Sequence, residues 1–176
     1  FFAGWQGRER PRIDRGRAAI FAGNHGVTVH GISAFPPEVT VQMVANFNAG
    51  GAAINALAGA AGLDLRIVPL DLERPTADFT QGPAMSEAEC LAAIAAGAAA
   101  VDGDLDVLVL GEMGIGNSTA AAALCARSLG GDAAHWVGPG TGLDGSGISR
   151  KAAVVDRAIA FHASAPHGPF ETLRRV

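Results

Sequence analysis

The stretch Asp104 to Leu129, DLDVLVLGEMGIGNSTAAAALCARSL, constrains this chain more than any other. Leu105, Val107, Leu108, Val109 and Leu110 form an apolar run too short for a free helix, which predicts a strand buried on both faces. Gly111 ends that run, and Glu112, Met113, Gly114, Ile115, Gly116 and Asn117 form a glycine-rich turn. Ser118 or Asn117 can cap the alanine-rich helix predicted over Thr119 to Leu129. A strand, a glycine loop and a helix start in succession make an anion site. Glycines let backbone N–H groups approach a ligand, and the helix dipole adds a partial positive charge. Equally, the glycines alone fit an ordinary tight βα turn. No Gly-Lys-Ser/Thr closes the loop, so it is not a Walker loop, and an unrelated phosphate-binding protein such as a small kinase is disfavoured.

The flanking segments alternate in the same way. Ala18 to Ala22 predicts a first strand, followed by Gly23, Asn24, His25 and Gly26. Polar residues just past a strand's C-terminal end face the ligand crevice of a parallel sheet. His25 there either orients a substrate or holds the loop through the backbone. Val27 to Pro37 is expected to be a loop, with Ser33, Phe35 and Pro36-Pro37 as candidates for a pocket wall. From Glu38 a long helix is expected, with Val39, Met43, Phe47, Ile54 and Leu57 as its core stripe and Gln42 beside it. Gly50-Gly51 marks a close approach or a bend. Leu63 to Leu70 predicts a second strand, and Arg74 to Pro83 is irregular. Ser86 and Glu89 match a capping box ahead of an alanine helix running to Ala100. His135-Trp136-Val137 predicts a short strand, and Ser149 to Phe161 a last helix. The alternation implies an α/β fold with a mostly parallel sheet flanked by helices and right-handed crossovers.

Length and charge narrow the class. The 176 residues suffice for one domain, and 49% hydrophobic against 17% charged residues suits a buried sheet. A net charge of −4 argues against general nucleic-acid binding. The arginines at 8, 10, 12, 15 and 17 are interleaved with acids, so the start of the chain reads as a solvated linker rather than a basic arm. Cys90 and Cys125 fall in alanine-rich stretches without metal spacing and read as small buried residues of a reducing compartment. No uninterrupted apolar span or signal peptide is visible. The chain opens on Phe1 rather than Met, so its natural start is expected upstream.

A second glycine loop, Gly138 to Gly147, contains Gly140, Gly142 and Gly145 in the G-x-G-x-x-G pattern. No acidic residue follows at the end of another strand, which argues against a dinucleotide. Lys151 is the one lysine in the chain. With Arg150 it falls near the expected start of the last helix, where a cation opposes the dipole unless a bound anion compensates. A phosphate is a fitting partner for a lysine, although most lysines simply extend into water.

Together NHGV (24–27), SAFPPEVTVQMVANFNAGGAAIN (33–55), GPAM (82–85), GEMGIGNSTAAAAL (111–124) and GTGLDGSGISRK (140–151) resemble the nicotinate-nucleotide–dimethylbenzimidazole phosphoribosyltransferase family. The resemblance implies a Rossmann-like large domain, here spanning 1–176, with most of the small helical domain missing. It implies transfer of phosphoribose from nicotinate mononucleotide to 5,6-dimethylbenzimidazole, with inversion, in cobalamin nucleotide-loop assembly. It further implies a cytoplasmic homodimer, no metal or cofactor, and no nucleic-acid or membrane partner. By residue, Gly114, Ile115, Gly116 and Asn117 resemble the loop holding the mononucleotide phosphate, with Gly140, Thr141, Gly142 and Lys151 as its second half. Ser33, Gln42 and Phe35 resemble the benzimidazole pocket, with His25 as a further base contact. Glu112 resembles an acid near the ribose and the reacting centre. The family's general base, a glutamate in a Gly-Glu-Gly-type segment, is expected beyond Val176, and Glu171 is not that residue. The alternative is a non-catalytic nucleotide-binding and dimerisation module.

Overall fold

A computed structural model describes all residues, Phe1 to Val176. Three strands, β1 (Gly16–Ala22), β2 (Asp64–Pro69) and β3 (Val107–Met113), form a parallel sheet in the order β2-β1-β3. The helices are α1 (Phe2–Gln6), α2 (Glu38–Asn48), α3 (Ala53–Ala61), α4 (Glu87–Ala98), α5 (Asn117–Leu129), α6 (Ala133–Trp136), α7 (Gly145–Phe161) and α8 (Pro169–Arg175). The parallel α/β architecture agrees with the sequence pattern. Both later strands pair with β1, so the chain reverses its direction of travel across the sheet after β2. Ligands of open α/β sheets bind at the C-terminal strand ends beside such a reversal. Here that point lies between His25, just past β1, and Gly114, just past β3.

β1 is the buried strand. Its Ala18, Ala19 and Ala22 have no exposed surface, because small side chains let strands and helices close around them. β3 is instead an edge strand. Val109 and Leu110 are 42% and 68% exposed, which corrects the expectation of a strand buried on both faces. The strand also runs through Gly111 to Met113, so Glu112 stands on it rather than in the turn. At the base of the sheet, the Asp106 carboxylate accepts from the Asp14 and Arg15 N–H groups. Arg15 and Arg17 pair with nearby carboxylates there, and Arg8 pairs with Asp14. Only Arg8 meets an interleaved acid, whereas Arg15 and Arg17 meet Asp104, Asp64 and Asp102 from β2 and the segment before β3, and α1 forms a short exposed helix ahead of these arginines.

The expected long helix breaks in two. Gly50 adopts φ 79° between α2 and α3, and Leu57 is 65% exposed, so the stripe is core at Phe47 but not at Leu57. The Ser86–Glu89 capping box forms as expected, with bonds of 3.2 and 2.8 Å. Residues Gly26–His30 form a 3-10 turn within the expected loop. His135-Trp136 belongs to α6, not to a strand. The segment has no strand to pair with, packs against α5 and α7, and is tied back by Trp136 Nε1 donating to the Gly130 carbonyl at 2.9 Å. Cys90 is buried and Cys125 partly so, and neither forms a disulfide. No helix is long and apolar enough to cross a membrane.

A cluster of 13 buried apolar residues lies away from the strands. It joins Ala120, Ala123, Val154, Val155 and Ala158 of α5 and α7 with Val27, Ile32, Phe79 and Ala84 from the loops. His162 caps this core, fully buried, with Nε2 2.9 Å from the Phe79 carbonyl oxygen. Burial pushes the His162 imidazole below its ordinary pKa. The unfolded chain therefore binds this proton more readily than the folded one, and stability falls as pH drops from neutral through the ordinary imidazole range. Glutamine can keep the bond to Phe79 without titrating. His162→Gln is expected to show a smaller drop in melting temperature between pH 7.5 and 5.5 than the unsubstituted chain, measured by circular dichroism. An equal drop would assign the acid sensitivity to other groups.

Candidate functional site

The glycine loop between β3 and α5 is gripped from two sides. A Cβ on Gly114 would lie 2.3 Å from the Gly23 carbonyl oxygen, and one on Gly116 2.9 Å from Thr28 Cγ2 and 3.3 Å from His25 Cβ. Gly116 is the N-cap of α5 at φ 94°, and no side chain caps the helix in the usual way. Neither expected cap forms, because Gly116 occupies the capping position and Asn117 is already the first helical residue. Asn117 Oδ1 accepts from the Ser118 N–H at 2.6 Å, and its Nδ2 donates to Glu112 Oε2. Glu112 is exposed and held over the helix start by that bond.

Loop Gly138–Asp144 faces this turn, and α7 begins at Gly145. Asp144 Oδ1 accepts from the Gly147 N–H at 2.7 Å and the Ser146 hydroxyl at 2.8 Å, which starts the helix four residues earlier than expected. Lys151 therefore stands inside the helix rather than in its first turn, where dipole effects concentrate. The conflict with the helix dipole expected of this cation is therefore absent. Lys151 is 1% exposed, and its Nζ donates to Ser118 Oγ at 2.8 Å and to the Gly138 carbonyl at 3.3 Å. No carboxylate pairs with it, and burial lowers its pKa. A buried ammonium facing only neutral acceptors carries a desolvation cost that an anion beside it would offset.

The two loops bring together Gly114, Ile115, Gly116, Asn117, Gly140, Thr141 and Lys151, with Ile32 and Ser33, around a space of about 20 Å³. Gly142 lies just outside it. The N–H groups of Gly116, Gly140 and Thr141 make no hydrogen bond within the chain, whereas those of Asn117 and Ser118 are already engaged. Free donors thus come from both loops. The space holds about one water-sized group, and the loop after Pro139 lines one side of it. The positive φ angles of Gly140 and Gly142, 54° and 116°, show how sharply that loop is folded.

Beside it opens a cleft of about 1050 Å³, lined among others by His25, Asn24, Met85, Glu112, Met113 and Asn117. Burial holds the His25 imidazole below its ordinary pKa against the opposing pull of Glu112. Asn117 and Ser118 line both spaces and connect them. Of the residues expected at the benzimidazole, Ser33 lines the small space and His25 the cleft, whereas Phe35 and Gln42 line neither. Glu171 is engaged elsewhere. Arg174 first, and Arg175, hold its carboxyl below the ordinary range. Ser118 is the residue that sequence reasoning weighed only as a cap. Its signal was the position directly after the loop asparagine, on the helix turn that faces the lysine. No cluster of three or more His, Cys, Asp or Glu side chains is placed to hold a metal ion.

A phosphoribosyltransferase family model, DBI_PRT, matches residues 1–176. The nicotinate-nucleotide–dimethylbenzimidazole phosphoribosyltransferase of Novosphingobium aromaticivorans is 72% identical over 176 residues, covering 100% of this chain and 52% of the relative. The protein of that name from Cereibacter sphaeroides is 55% identical with the same coverage. The crystal structure of CobT from Thermus thermophilus superposes with a TM-score of 0.90 at 40% identity, over 99% of this chain and 58% of that one. The chain spans about half the length of the curated relatives it matches. With the family model matched from end to end, and with relatives this similar carrying the same strand–loop–helix frame, the chain belongs to the DBI_PRT phosphoribosyltransferase family.

Proposed function

We propose that this chain is the large α/β core, 1–176, of an enzyme that moves phosphoribose from nicotinate mononucleotide to 5,6-dimethylbenzimidazole, releasing nicotinate and α-ribazole 5′-phosphate. The observation that carries the reading is the buried, carboxylate-free Lys151 between two glycine loops. In this reading the phosphate of the mononucleotide is met by Lys151 and the N–H groups of Gly116, Gly140 and Thr141. Gly114, Ile115, Asn117 and Gly142 shape the loops around it. The ribose then lies toward Glu112, whose carboxylate accepts hydroxyl protons or stabilises positive charge developing at the anomeric carbon. The acceptor base occupies the cleft beside His25, which Ser33, Phe35 and Gln42 do not line. Attack by the base nitrogen from the face opposite nicotinate inverts the anomeric carbon, and the base N–H proton must leave to a general base. A cytoplasmic homodimer, with no metal, cofactor, nucleic acid or membrane, completes the proposal.

The test separates binding from chemistry. The phosphate loops are local to this chain, so the 176-residue polypeptide is expected to bind nicotinate mononucleotide in a calorimetric titration. Its turnover, followed by chromatography of α-ribazole 5′-phosphate, is expected to be lower than that of a full-length relative by about 10²–10⁴, the usual contribution of a general base. Full turnover would place the base within this chain, at Glu112 first. Absence of mononucleotide binding would remove the assignment of the loops. Binding with no detectable turnover, in both this chain and the polypeptide that carries it, would leave a nucleotide-binding module.

A further inference from the structure

Thr40 lies in the first turn of α2 with no exposed surface. Its Oγ1 accepts the backbone N–H of Ile115 at 3.1 Å, across 75 positions of sequence. This is the side-chain hydrogen bond that ties α2 to the glycine loop. Ile115 sits between Gly114 and Gly116, and all three are buried. Its N–H has one place to go. Directed into the small space, it would join the anion donors. Taken by Thr40, it turns the loop so that Gly116 N–H is left without a partner beside Lys151. The choice of residue fits this task. Valine would fill the same volume but offer no acceptor, and it would strand a buried N–H.

We propose that Thr40 is a positioning residue for the anion loop: by accepting the Ile115 N–H it fixes the peptide plane between Gly114 and Ile115 and so sets which backbone donors face a bound phosphate. The proposal rests on the reading of that loop as the phosphate site. The same anchor makes α2 part of the loop's mounting, which is why a helix that lines neither space bears on the site at all.

The experiment compares the unsubstituted chain with Thr40→Val and Thr40→Ser, using nicotinate mononucleotide and 5,6-dimethylbenzimidazole as separate calorimetric probes. Thr40→Val is expected to weaken the mononucleotide about five- to tenfold and to leave the free base unchanged. Thr40→Ser, which keeps the acceptor and loses only a methyl, is expected to restore mononucleotide affinity. Equal losses for both probes, or a Ser variant as weak as the Val variant, would show a packing role and overturn the proposal. So would a Val variant that binds the mononucleotide like the unsubstituted chain. Failure of the unsubstituted chain to bind the mononucleotide would instead sink the proposed function. Should Thr40→Val not fold, amide exchange of the unsubstituted chain still decides. The Ile115 amide is expected to be protected in the free protein, and exchange as fast as that of the unbonded Gly140 amide would overturn the proposal.

Discussion

Replacing Lys151 by methionine is expected to weaken nicotinate mononucleotide binding by about ten- to a hundredfold while leaving 5,6-dimethylbenzimidazole binding untouched. A charge-assisted hydrogen bond to phosphate is worth about 1.5–3 kcal/mol, and each 1.4 kcal/mol is about tenfold in affinity. Methionine keeps an unbranched stem in the space the lysine occupies, so the packing against α5 and loop Gly138–Asp144 is preserved. Lysine at this position carries a desolvation cost that two neutral acceptors, Ser118 Oγ and the Gly138 carbonyl, only partly offset. The melting temperature of the free variant should therefore be equal to or above that of the unsubstituted chain. Affinity should also depend on pH. Burial lowers the Lys151 pKa, so the charge that holds the phosphate is lost at a lower pH than that of an ordinary lysine. Calorimetry at neutral and alkaline pH, with melting curves alongside, checks each part. Equal weakening of both ligands, or a pH profile that the methionine variant shares, would make the lysine structural.

Gly116→Val is expected to do more than block the loop. Viewed from the sequence, a side chain at this glycine crowds an approaching phosphate and leaves the fold intact. The structure adds two costs. The residue sits at φ 94°, where a β-branched side chain is strained by about 1–3 kcal/mol. A Cβ there would also stand 2.9 Å from Thr28 Cγ2 and 3.3 Å from His25 Cβ, both on the segment that follows β1. The variant should thus lose mononucleotide binding and also melt several degrees lower. Gly116→Ala should show the same two effects at smaller size, because it carries the strain and the first contact without the branching methyls. A valine variant with unchanged melting temperature would mean that the Thr28 and His25 segment yields freely. Unchanged affinity would remove Gly116 from the anion site.

Much of the site was legible because its chemistry is local. A short β-type run, three glycines around one isoleucine and a methionine, an asparagine and an alanine helix occupy consecutive positions, and backbone geometry alone joins them. The pairing of the two glycine loops was legible in part. Lys151 stands out in the sequence as the one lysine of the chain, but the dipole conflict expected of it is absent, because Asp144 is the N-cap and an N-cap aspartate moves the first turn back to Gly145. The short segment His135-Trp136 was misread because a few apolar residues fit either period, and only neighbours decide between them.

What the sequence by itself determined is the set of elements whose reasons are near in the chain: the parallel α/β alternation, the capping box at Ser86 and Glu89, and the glycine loops themselves. Tertiary structure alone decided the rest, because burial and pairing are long-range. It made β3 an edge strand with Leu110 exposed, since hydropathy records a preference for burial and not the presence of a partner. It placed Ser33 with the two glycine loops and left Phe35 and Gln42 outside both spaces, since their positions depend on where α2 docks. It left Lys151 buried without a carboxylate. It also joined Thr40 to Ile115, a bond between residues whose separation of 75 positions conceals that they touch.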